Sequence, residues 1–205
     1  GNFTSASDGT LSATGVIDGD VSATSTGGAS VATGDFDATG ISSLQDMTVG
    51  GVLDLAGQAQ ASADVSAESV DGTADATSGL SSISGIVNAD LNGASDGTVL
   101  GTAFGSFNTT AESTGANATA DGSQSLVGIQ TMDAMEIDFG GTGTISAIAQ
   151  DANFVEASSV SGNASATASV DAIGLDGGTI NIASDAVLTS SVSVDSAADS
   201  STVGA

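Results

Sequence analysis

"LDLAGQAQASADVSAE", residues 53–68, alternates from end to end. Its odd positions are Leu53, Leu55, Gly57, Ala59, Ala61, Ala63, Val65 and Ala67, and its even positions are Asp54, Ala56, Gln58, Gln60, Ser62, Asp64, Ser66 and Glu68. In a helix every second residue lies about 200° further round, so these apolar positions would be scattered over the whole surface. On a strand they share one face. The alternation is about three times as long as a typical strand of ~5–6 residues. It predicts one long strand whose inward side carries little that is larger than Ala.

The same pattern recurs outward from this stretch. Leu11, Ala13, Gly15, Ile17, Gly19, Val21 and Ala23 alternate with mostly polar residues, Val16 being the exception. A third run is Met135, Ile137, Phe139, Gly141, Gly143, Ile145, Ala147 and Ala149. From Val160 the even positions take over, through Ala164, Ala166, Ala168, Val170 and Ala172, and later Ile180, Ile182, Ala186, Leu188, Val192 and Val194. The whole chain, 1–205, therefore reads as a single elongated all-β domain.

Asp-Gly pairs suit tight turns, and six of them predict breaks at Asp8, Asp18, Asp71, Asp96, Asp121 and Asp176. Asp71, Asp96 and Asp121 are spaced by 25 residues, a hint of internal repetition. "ISSLQDM" (41–47) is the only stretch with a helical reading, of one or two turns. Two architectures hold one register so long. A β-solenoid stacks short coils with inward residues kept inward, and Gly140-Gly141-Thr142-Gly143 supplies a suitable bend. The alternative is a sandwich of long antiparallel strands with one wet face. The bends favour the solenoid.

Composition narrows the function. The chain has 25 acidic residues and no Lys, Arg or His, for a net charge of −25. No cationic side chain is available to contact a phosphate, so nucleic acid is excluded as an electrostatic partner. Each carboxylate is expected to face solvent, a hydrogen-bond donor or a bound cation. Mean hydropathy is +0.25, the apolar residues are patterned and Pro is absent, all of which argue against disorder. There is no Cys, hence no thiol chemistry, and no apolar run of the ~18 residues that a membrane span needs. The start, "GNFTSASDGT", looks like a mature or excised terminus. Without His, Lys, Cys, Tyr or Arg the usual bases and nucleophiles are missing, and the scattered Glu68, Glu112, Glu136 and Glu156 do not suggest a carboxylate dyad. The sequence reads as a non-enzyme.

Hard cations want carboxylate and carbonyl oxygens, which makes calcium the cofactor expected here. Asn88, Asp90, Asn92 and Gly93 match the opening of an EF-hand loop, and Asp96 falls at its ninth position, although Val99 stands where the bidentate Glu belongs. "GGTGTI" (140–145) begins like a calcium-binding nonapeptide but has Ile145 where Asp is required. Asp18 with Asp20, and Asp35 with Asp37, put paired carboxylates on one strand face. Four sequons, at Asn2, Asn108, Asn117 and Asn163, would suit glycosylation of an exposed surface.

"LDGGTINIASDAVL" (175–188), "GGTGTISAIAQ" (140–150) and "DGTLSATG" (8–15) resemble the coils of secreted bacterial β-helix proteins of the filamentous haemagglutinin and autotransporter-passenger type. Similar phrases occur in bacteriophage fibres. The resemblance implies an elongated, surface-exposed, non-enzymatic protein that adheres or assembles. Long strand edges pair with other chains unless blocked, and the usual blockers, Lys and Pro, are absent. The expectation is a structural subunit of an extracellular or cell-surface filament, fibre or sheath whose partner is further copies of itself, without membrane insertion. The alternative is a repeat segment of a larger adhesin or phage fibre.

Overall fold

The computed structural model describes residues 3–130 and 136–203. Asn2 and the first position of the run that starts at Met135 lie outside them. Thirteen strands make up the described chain: β1 (Phe3–Ser5), β2 (Gly9–Ser25), β3 (Ser30–Gly34), β4 (Ala38–Val49), β5 (Val52–Ser69), β6 (Ala74–Ala94), β7 (Asp96–Ser113), β8 (Ala118–Gln130), β9 (Glu136–Phe139), β10 (Gly143–Ser159), β11 (Ala164–Asp176), β12 (Thr179–Ile182) and β13 (Ala186–Thr202). The fold is all-β, with no helix among the described residues. Residues 41–47 lie within β4, because Ile41 and Met47 are buried in the inter-sheet core on the alternating phase of a strand.

The strands form two sheets. One is ordered β13-β10-β7-β5-β2, and the other β1-β4-β6-β8-β11 with β3, β9 and β12 paired alongside. Every described pairing is parallel, so the antiparallel arrangement is not the one adopted. Parallel neighbours need a crossover. Here the crossover is a strand of the facing sheet, and each lap of the chain adds one row to both. Gly9, Leu53, Gly97, Gly143 and Ala186 stand in one register, stepping by 44, 44, 46 and 43 residues. The lap is therefore far longer than the 25-residue spacing of Asp71, Asp96 and Asp121. Those three residues occupy unrelated places: a turn after β5, the start of β7 and the first turn-proximal residues of β8.

The Asp-Gly pairs divide accordingly. Only Gly177 of the six pairs has a positive φ, at 72°. Asp18-Gly19 and Asp121-Gly122 lie inside β2 and β8 and do not break them. Gly19 faces the ring of Phe36, and Gly122 faces Val155 and Asn153, so both make room for a neighbour across the core. The "GGTG" phrase does bend the chain between β9 and β10.

Inward side chains form two clusters. Ala59, Ala61, Ala63, Ala67, Ala103 and Ala111 dominate one, with Phe36 and Phe107 at a centroid separation of 6.3 Å. Leu53, Leu55, Ile86, Ile129, Ile137 and Phe139 dominate the other. Between them runs a seam of glycines, Gly40, Gly85, Gly128 and Gly174, each flanked by register-paired residues on β4, β6, β8 and β11. A Cβ on Gly40 would stand 2.5 Å from Gln58 N, and one on Gly128 would stand 2.6 Å from Ile148 N. Side-chain-free backbone thus meets backbone along the middle of the stack. Sheets normally pack ~10 Å apart with side chains between them. Small residues at this seam permit a closer approach.

Candidate functional site

The outer face of the five-stranded sheet carries a groove of about 390 Å³ that crosses all five strands. Alternation on β2 puts Asp18 and Asp20 on this face, and register brings Asp64 beside Asp20 and places Asp195 at the far end of the Asp18 row. The Ser62 hydroxyl donates to Asp18 Oδ1 at 2.7 Å. Phe154, 43% exposed, lines the same groove. Asp20 and Asp64 are directly opposed on neighbouring strands, as are Glu68 and Glu112. Like charges opposed in this way repel. The face consequently attracts cations and repels polyanions. Among the described residues, no three Asp or Glu side chains converge as a metal-binding group.

The residues of the calcium motif do not form a loop. Asn88, Asp90 and Asn92 lie along β6, with Asn88 at φ 56°, while Asp96 opens β7. Asn92 Nδ2 donates to Asp90 Oδ1 at 3.2 Å. Asp96 Oδ1 accepts both the N–H and the hydroxyl of Thr142, each at 2.7 Å, and these bonds hold its carboxyl below the usual carboxylate range. Asp8 makes the equivalent contact two laps earlier, accepting from Val52 N at 2.9 Å. Such carboxylates clamp the start of the following row. Asp37 is likewise engaged, by Ser82 N at 2.8 Å. Of the described sequons, Asn108 is exposed on the outer face of β7, and Asn117 and Asn163 are exposed in the turns after β7 and β10. Asn117 Oδ1 accepts from Asn163 N at 2.9 Å.

One carboxylate breaks the expectation that every acid meets solvent, a donor or a cation. Asp151 is 6% exposed on the inward face of β10, and neither of its oxygens has a hydrogen-bond partner. Burial pushes its carboxyl up to about 6. Its carboxylate fills the space above Gly105, its register partner on β7, which has no side chain of its own. Two residues on, Asn153 Nδ2 donates to Gly122 O at 3.4 Å and leaves its Oδ1 unpaired. The facing sheets run in opposite directions: Thr109 meets Ser78, while Gly105 meets Ile83 further along β6. Gly122 meets both Val155 and Asn153, so Gln124, two residues further along β8, faces the Asn153–Asp151 stretch of β10. Gln124 is 1% exposed; its Nε2 donates to Ser78 Oγ at 3.2 Å and its Oε1 is unpaired. Sequence reasoning passed over these residues, yet a signal was present. Extending the odd-numbered phase of Ala147 and Ala149 by two more steps turns Asp151 and Asn153 inward.

No match to this chain was found among protein-family models, curated proteins or solved structures.

Proposed function

We propose that the chain is a β-solenoid and acts as a structural unit of an extracellular filament, fibre or sheath, joined to further copies of itself through its strand edges. The observation that carries this reading is the match between the two outer strands of the five-stranded sheet. β2 and β13 are each 17 residues long, run in the same direction, and pair on one side only among the described residues. β13 exposes Leu188, Val192 and Val194 in register with the inward row of β10. Pairing with β2 of a second copy, Ala186 against Gly9, continues that register. Leu188 then meets Leu11 and Val194 meets Ile17. The outward acids keep the lateral surfaces apart, while ladder hydrogen bonds hold the axial contact.

The chain has no Cys, so an engineered pair reports the contact cleanly. Thr14→Cys with Ser191→Cys places both thiols on outward positions of the proposed register, within reach of a disulfide. Oxidation is expected to give a ladder of covalent oligomers, whereas Thr14→Cys with Ser193→Cys, two residues out of register, gives far fewer. Monomers throughout, with a monodisperse rod in sedimentation at high concentration and ionic strength, would reject self-association. They would favour the second reading, a repeat segment of a larger adhesin or fibre whose further laps cover the same edges.

A further inference from the structure

We propose that Asp151, Gln124 and Asn153 form an interior site for a hard metal cation of the calcium class, enclosed between the two sheets. The free atoms of the cluster are all oxygens: Asp151 Oδ1 and Oδ2, Gln124 Oε1 and Asn153 Oδ1. Each amide nitrogen already makes one hydrogen bond. Asn153 Nδ2 is held by the Gly122 carbonyl, and Ser78 Oγ receives both Gln124 Nε2 and the Thr109 hydroxyl. These bonds fix which end of each amide remains free. Each of the three side chains is at least nine-tenths buried.

An unpaired carboxylate and two amide oxygens are a costly set to bury together, because each loses its water and gains no donor. In most proteins a Lys or Arg would neutralise the acid, but this chain has neither. The missing positive charge has to come from outside the chain. Carboxylate and amide oxygens are the ligands that hard cations take, and calcium tolerates the irregular geometry and variable number of oxygens that such a cluster provides. Magnesium suits it less, because it demands near-octahedral geometry and keeps its water. The acidic surface further concentrates cations around the stack. The site is independent of the Asn88–Asp96 motif and of any contact between copies; it lies on the inward side of β10, behind the outer groove whose lining includes Asn153.

Calcium binding to the surface carboxylates must be separated from binding inside. Diffuse surface binding is screened away at about 0.5 M potassium chloride, whereas an enclosed site is screened much less. The test compares wild type, Asp151→Asn, Gln124→Met and the outward control Asp54→Asn by thermal unfolding in chelator and in excess calcium, all at about 0.5 M potassium chloride. Saturating calcium is expected to raise the Tm of wild type and of Asp54→Asn by about 5–10 °C. The rise should disappear in Asp151→Asn and shrink in Gln124→Met. In chelator, Asp151→Asn should melt above wild type, since it removes a buried charge that then has no partner. Equilibrium dialysis in the same salt should retain one calcium per wild-type chain and none per Asp151→Asn chain. The proposal is overturned if calcium shifts wild type and Asp151→Asn alike, or if no calcium is retained at high salt.

Discussion

The hydroxyl of Ser113 donates to the carbonyl oxygen of Gly72, one lap earlier in the chain, at 2.8 Å. Ser113 Oγ in turn accepts from Ala116 N at 3.1 Å, so one side chain closes its own turn and ties it to the turn below. Ser69 makes this double contact with Gly28 and Gly72, and Ser159 makes it with Ala116 and Gly162. The three serines stand in register at the same end of the stack and are at most 4% exposed. This row of hydroxyls supplies at the turns what the backbone ladder supplies along the strands.

Ser113→Ala removes a donor and an acceptor together, leaving Gly72 O and Ala116 N without this partner. The expected loss is about 1–3 kcal/mol in urea unfolding. The neighbouring Thr114→Ala, at an exposed turn position, should stay within about 0.5 kcal/mol of wild type. Equal effects from the two substitutions would show that the hydroxyl row contributes little to stability.

The glycine seam makes a second expectation. A Cβ on Gly128 would stand 2.6 Å from Ile148 N, 2.7 Å from Gly174 O and 2.9 Å from Ile148 O. All three obstacles are backbone, which cannot swing aside as a side-chain tip can. Gly128→Ala should therefore cost about 2–4 kcal/mol, by forcing the two sheets apart. Gly27→Ala, where nothing lies within 4 Å, should be close to neutral. Circular dichroism melts of the two variants decide the matter, and a neutral Gly128→Ala would mean that the sheets can separate at the seam without loss.

How much of this was legible beforehand depends on which signal is followed. Alternation in residues 53–68 gives β5, its inward face and its buried alanines directly, because a period of two has one physical reading. The lap was harder to read. Its markers are sparse: one glycine followed by Ile or Leu (Gly40-Ile41, Gly85-Ile86, Gly128-Ile129, Gly174-Leu175), and one turn serine (Ser69, Ser113, Ser159). The steps between successive seam glycines are 45, 43 and 46 residues, because turns and bulges absorb extra residues without disturbing the stack, so no fixed period shows. The equal spacing of three Asp-Gly pairs was more regular to the eye and structurally unrelated. The exposed acids of the groove followed from alternation. Asp151 did not, because charge alone argued for an outward position while phase argued for an inward one, and phase won.

Asp96 provides the last expectation, a pH dependence with a defined sign. The N–H and hydroxyl of Thr142 favour its charged form and hold its folded-state value below the ordinary 3.8. A carboxyl lowered on folding stabilises the folded state above its unfolded value, and the contribution fades as pH falls through the folded value. Asp96→Asn keeps an acceptor oxygen but mimics the protonated acid at every pH. Wild type should be the more stable of the two at pH 7, with a gap that holds down to about pH 4 and closes below it. The other acids titrate over the same range in both proteins, and relief of their mutual repulsion moves both stabilities together. The difference between paired urea titrations isolates Asp96. A gap that stays constant from pH 7 to about pH 2.5 would mean that the charge of Asp96 plays no part in clamping β10 to β7.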